Sequence, residues 1–137
     1  MAYLVGVILA FAVCLFATWV GFDKDRVFYP TVMVVIASYY LLFAVMGGST
    51  HALLVESAVM LVFLGVSVLG FRRGLWFVVV AFFAHGAFDF IHGRLIVNPG
   101  VPVWWPMFCL TFDVAAGGYL AWLLMRRSQS RLRSTCS

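Results

Sequence analysis

Apolar residues in this chain run in long blocks separated by short polar punctuation. The blocks lie at about 2–21, 27–46, 52–71, 75–92 and 103–125. Each approaches the roughly 20 residues that a helix needs to cross a bilayer's hydrocarbon core. The breaks between them have loop chemistry: Asp23-Lys24-Asp25-Arg26 is charged, Gly47-Gly48-Ser49-Thr50 is small and polar, Arg72-Arg73-Gly74 is basic, and Asn98-Pro99-Gly100 is a turn signal. A transmembrane barrel needs segments of about ten residues that alternate between lipid-facing and lumen-facing positions. These blocks do not alternate, and a continuous apolar run satisfies its backbone inside lipid only as a helix. The pattern predicts an all-α polytopic membrane protein, a bundle of about five transmembrane helices forming one domain over residues 1–126. A basic cytoplasmic tail, 127–137, follows, with disorder expected past about Arg131.

Charge tests the count. With five crossings, the first loop, the third loop and the tail share one side. That side carries Lys24, Arg26, Arg72, Arg73, Arg126, Arg127, Arg131 and Arg133, and the other carries only Arg94. The positive-inside rule then sets the N-terminus outside and the C-terminus in the cytoplasm. A four- or six-helix count scatters the same charges over both faces. The basic residues thus report topology, and no basic groove with interleaved aromatics suggests nucleic acid. Composition agrees: 65% of residues are hydrophobic and 10% are charged, against about 45–50% and 25% in soluble domains. The surplus apolar surface has to face lipid, so the bilayer is the first partner, and a multi-pass place in a bacterial-type inner membrane is expected. The first block lacks a basic leader and exceeds the roughly 7–15 residues of a signal-peptide core, so it reads as a retained helix. Cys14, Cys109 and Cys136 show no disulfide or zinc-knuckle spacing.

Five ionisable residues fall inside the apolar blocks: Glu56, His85, Asp89, His92 and Asp113. Such groups are costly in lipid and face a bundle interior or cavity. His85, Asp89 and His92 are spaced by four and three, which puts them on one face of the fourth helix. The expected topology brings most of the five to similar depth, toward a cavity open to the outer side. Ser38, Tyr39 and Tyr40 lie at comparable depth, and Cys109 sits one turn from Asp113 on its face. Trp104-Trp105-Pro106 reads as an interfacial anchor opening the fifth helix. Small residues at Ala84, Gly86, Ala87 and Ala115 to Gly118 permit close helix contact.

Four kinds of role fit these groups. A buried polar network can fix helix packing, though such contacts average only about 0.6 kcal/mol each. A divalent metal could be held by His85, Asp89, His92 and Asp113. Asp89-Phe90-Ile91-His92 echoes the Glu-x-x-His step of di-iron bundles, but those use two such steps, so a second copy of the chain would have to supply the other. Acid–base catalysis without metal could move a proton on a lipid-like or isoprenoid-like molecule, with a carboxylate orienting two imidazoles. A proton relay is the fourth, but the inner half offers no ionisable group to complete a path. No GxSxG, HExxH, P-loop or GxGxxG motif is present.

His85-Gly86-Ala87-Phe88-Asp89-Phe90-Ile91-His92, then Asn98-Pro99-Gly100-Val101-Pro102-Val103-Trp104-Trp105-Pro106, then Cys109 and Asp113, together resemble a family of small bacterial and fungal membrane proteins known as a domain of unknown function. The resemblance covers about the C-terminal half. It implies that His85, Asp89, His92, Cys109 and Asp113 belong together, and it implies no activity. In related sequences a second His often follows the one matched by His92, where this chain has Gly93. The one-turn spacing of His85 and Asp89 is also analogous, in chemistry only, to sterol isomerases with about five membrane helices. The leading expectation is a membrane-embedded enzyme acting on a lipophilic substrate through His85, Asp89, His92, Asp113 and Glu56. The alternative is a non-catalytic subunit or a small transport or binding component.

Overall fold

A computed structural model describes the backbone of residues 1–135 and the side chains of residues 1–130. Among the described residues there are five α-helices, α1 (Ala2–Val20), α2 (Phe28–Met46), α3 (Thr50–Arg73), α4 (Trp76–Leu95) and α5 (Trp105–Thr135), with a short 3-10 turn at Phe22–Lys24. No strand occurs among the described residues. All five helices are long and apolar enough to cross a bilayer, as a multi-pass membrane protein requires.

Local chemistry explains where the helices stop. Gly21 takes a left-handed conformation (φ 94°) at the end of α1, and its N–H bonds the carbonyl of Ala17. This is the helix stop that glycine adopts without steric cost. Gly48 (φ 65°) turns the chain after α2, and the Ser49 hydroxyl accepts the N–H of Ala52 to cap α3. Pro30 and Pro106 lie in first turns, where a missing N–H breaks no helical bond. Expected and observed boundaries agree within three residues, with one exception. α5 runs on from residue 125 to Thr135, so the expected disorder past Arg131 gives way to helix over 131–135. The polar end of α5 has no proline or glycine to stop propagation from an established helix. The expectation for residues 136–137, including Cys136, lies outside the described residues.

α4 is the hub, packed between α5 and α3, while α2 lies along α3 and α1 along α5. The buried stripe of α1 is Gly6, Ala10, Cys14 and Ala17, all small residues on one face. A methyl group at Gly6 would collide with Thr111 and the Phe108 carbonyl, and Thr111 Oγ1 donates to the Tyr3 carbonyl across the same seam. Close backbone approach of this kind supports helix association where the surroundings are as apolar as the core. The remaining faces of α1 expose Leu4, Leu15, Phe16 and Trp19, an arrangement that water penalises and lipid does not.

The α4–α5 connection folds back onto the bundle instead of looping away. Gly100 packs so tightly on the end of α2 that a side chain there would strike the Phe43 carbonyl. This seats Asn98 inside the protein, where it is 9% exposed.

Candidate functional site

The buried polar groups sort into two sets that meet at Tyr40. The first lies between α4 and α5. His85 Nδ1 is 2.7 Å from Asp113 Oδ2 and 3.3 Å from Asp89 Oδ2. With carboxylates on both sides, these contacts select the tautomer that carries a proton on Nδ1. Asp89 Oδ1 accepts a 2.6 Å hydrogen bond from the Tyr40 hydroxyl. Cys109, one turn before Asp113, completes the group. One potential donor atom from each of His85, Asp89, Cys109 and Asp113 lies within 4.8 Å of all the others. None of the four residues is more than 2% exposed.

The second set lies between α3 and α4, nearer the Trp104 end of the bundle. His92 Nε2 is 2.7 Å from Glu56 Oε1, and the same oxygen accepts from Asn98 Nδ2 at 3.1 Å. Asn98 Nδ2 also reaches the Tyr40 carbonyl, and Asn98 Oδ1 accepts the N–H of Gly100. The Tyr40 ring stacks on His92 with centroids 4.1 Å apart and planes 21° from parallel. Tyr40 therefore touches the first set with its hydroxyl and the second with its ring and carbonyl.

This arrangement differs from the single open hollow that topology suggested. The five ionisable residues are all buried, but as two packed pairs, Glu56 with His92 and His85 with Asp113, with Asp89 beside the second. The reason is depth more than direction. His85 and His92 point within about 20° of each other around α4 but lie seven residues, about 10 Å, apart along it, so His85 meets Asp113 of α5 and His92 meets Glu56 of α3 at different levels. Asn98 then closes the Trp104 end. A surface pocket of about 320 Å³ remains over that closure, with His92 in its wall.

The larger opening is lateral. An apolar cleft of about 490 Å³ lies between α1 and α2, with α5 as its floor. Leu9, Val13, Val32 and Phe112 are among its walls, and Cys109 lies on its floor. The thiol thus belongs both to the cleft and to the His85–Asp89–Asp113 group. Trp105 also lines the cleft, and its buried indole N–H has no acceptor within the described residues.

Charge does not balance in the first set. Two carboxylates share one imidazole, and Asp113 Oδ1 and Asp89 Oδ2 have no hydrogen-bond partner within the described residues. A buried carboxylate oxygen in that state is costly unless a proton or cation completes it.

Two features escaped the sequence reading. Asn98 was legible only as a turn residue, because Asn-Pro-Gly gives no sign that its amide turns inward. At the opposite end of the bundle, Asp23 is 3% exposed although it sits in a charged connection. It accepts from Thr18 Oγ1 at 2.9 Å and lies 3.4 Å from an Arg127 nitrogen. Thr18 also bonds the Tyr119 hydroxyl at 2.8 Å. This pairing gathers acidic and basic groups from α5 and the first connection, which confirms that these two segments share one end of the bundle.

No protein-family model, curated protein or solved structure matches this chain.

Proposed function

We propose that the protein is a membrane-embedded enzyme that carries out proton-transfer chemistry on a lipophilic molecule at the His85–Asp89–Asp113 centre. One observation carries the reading: the apolar cleft between α1 and α2 ends on Cys109, which is itself part of that centre. A bilayer-dissolved molecule entering from the side meets almost nothing but hydrocarbon until it reaches Cys109, behind which His85, Asp89 and Asp113 lie enclosed. Substrate sites of this kind are mainly apolar with a few convergent polar groups. The stretch that carries the family resemblance supplies His85, Asp89, Cys109 and Asp113.

Each residue then has a role. His85, held by Asp113 and Asp89, is the group that gives or takes the proton, since an imidazole fixed by a carboxylate is the usual acid–base arrangement. Asp113 and Asp89 orient the ring and compensate its charge. Tyr40 holds Asp89 in place. The His92–Glu56 pair, beneath the pocket at the Trp104 end, lies on the side from which water can exchange protons with the interior. That end faces outward in the N-out, C-in orientation favoured by the basic residues at the opposite end.

Deuterium transfer tests the proposal. Purified protein in D2O is incubated with the apolar lipid extract of its host membrane, and the lipids are read by mass spectrometry. A species that gains deuterium or changes mass with wild type, and not with His85→Ala or Asp89→Asn, supports the reading. An unchanged lipid profile with folded wild-type protein contradicts it.

A further inference from the structure

We propose that His85, Asp89, Cys109 and Asp113 form a binding site for a single zinc ion. The inference concerns the same centre as the functional reading above and changes one role in it: while zinc is bound His85 serves as a ligand, and it is free to give or take a proton only in the metal-free protein. It rests on three features of the centre. The first is convergence: four side chains of metal-ligating type, from two helices, bring a donor atom each to within 4.8 Å of one another. A contraction of about an ångström brings such a set to the spacing of ligands around a tetrahedral ion with bonds of about 2.0–2.3 Å.

The second is the unfilled valence of the carboxylates. Asp113 Oδ1 is buried with no hydrogen-bond partner within the described residues, and Asp89 Oδ2 has only the His85 Nδ1 ion-pair contact at 3.3 Å, outside hydrogen-bond geometry; both side chains are fully enclosed. Packing alone gives no reason to gather two carboxylates and a thiol around one imidazole. A divalent cation supplies the missing positive charge and the missing partners together.

The third is the donor chemistry. One thiol, one imidazole and two carboxylates match the nitrogen, sulfur and oxygen ligands that zinc accepts, whereas magnesium and calcium prefer oxygen alone. His92, which sequence spacing offered as a ligand, takes no part, because its Nε2 is engaged by Glu56. The cleft that ends on Cys109 provides an entry path.

Cobalt substitution tests this directly. Full-length protein is purified in detergent, freed of metal with a chelator and titrated with Co2+. The expected result is one equivalent bound, with visible absorption of tetrahedral cobalt and a near-ultraviolet thiolate-to-cobalt band, both abolished by an equivalent of Zn2+. Cys109→Ser should lose the thiolate band but keep weakened binding. Asp113→Asn should weaken binding at least tenfold, and His92→Gln should leave the spectrum unchanged. Helical circular dichroism verifies that each variant is folded. Folded wild type that takes up neither metal overturns the proposal, as does a thiolate band that survives Cys109→Ser. A lipid that gains deuterium with folded protein that takes up neither metal would leave the enzyme reading standing while the zinc site fell. Stoichiometric zinc with an inert lipid profile would do the reverse.

Discussion

The Tyr40 hydroxyl donates to Asp89 across the α2–α4 interface at 2.6 Å, and this contact ties the two polar sets into one construction. The Tyr40 ring lies flat on His92 at the same time. Tyr40→Phe keeps the ring and deletes only the donor, which leaves Asp89 Oδ1 buried and unpartnered. The expected cost is about 1–3 kcal/mol, seen as an earlier unfolding transition in detergent with helical content retained. Tyr40→Leu, which also removes the stacking, should cost more.

The imbalance of charge around His85 gives substitutions of opposite effect. In metal-free protein, Asp113→Asn keeps an acceptor for His85 and removes one surplus buried charge, so stability should stay within about 1 kcal/mol of wild type or rise. His85→Ala leaves two carboxylates facing each other without a counter-group and should cost about 3–5 kcal/mol. Thermal unfolding of the two variants side by side, with chelator present, checks the ordering.

A double-mutant cycle on Glu56 and His92 should show coupling of about 1–3 kcal/mol, as for groups within one hydrogen-bonded pair. The same cycle on His92 and Asp113 should be close to additive, because their sets join through the Tyr40 and Phe88 rings and no direct polar contact links them.

Much of this was legible in the chain, and the parts that were not have specific causes. Helix number followed from apolar block length, which the bilayer sets. The spacing of His85, Asp89 and His92 showed that α4 carries a polar stripe. It did not show that α3 and α5 divide the stripe between them, since that depends on which helix packs against which side of α4. Cys109 was visible as a neighbour of Asp113 by its four-residue offset. Asn98 was not visible as a site residue, because its inward turn depends on Gly100 packing against the Phe43 carbonyl, a tertiary contact with no local signature. The burial of Asp23 was equally hidden, because Arg127 lies 104 positions away in the chain.

Gly100→Ala puts a methyl group against the Phe43 carbonyl and should lift the α4–α5 connection off α2. Overpacking of this kind costs about 1–3 kcal/mol, and here it should also withdraw Asn98 from Glu56. Faster amide hydrogen exchange along residues 96–104, with α1 unaffected, is the expected signature.

Orientation has its own test. With Cys136 replaced by Ser, a cysteine at exposed His51 should react with a membrane-impermeant maleimide added to spheroplasts, and one at exposed Ser128 should react only after lysis. Labelling of the reverse kind would invert the assigned topology and put the His92 pocket on the cytoplasmic side.

Photolabelling shows whether the α1–α2 cleft admits a lipophilic molecule to the polar centre. A diazirine-bearing isoprenoid or fatty-acyl probe is irradiated with wild type and with Val32→Trp, which fills the cleft, and the adducts are mapped by mass spectrometry. Saturable labelling concentrated on cleft residues such as Val13 and Val35, lost in Val32→Trp while helical content is unchanged, is the expected result. Adducts spread evenly over lipid-facing positions of all five helices, alike in both proteins, would contradict it.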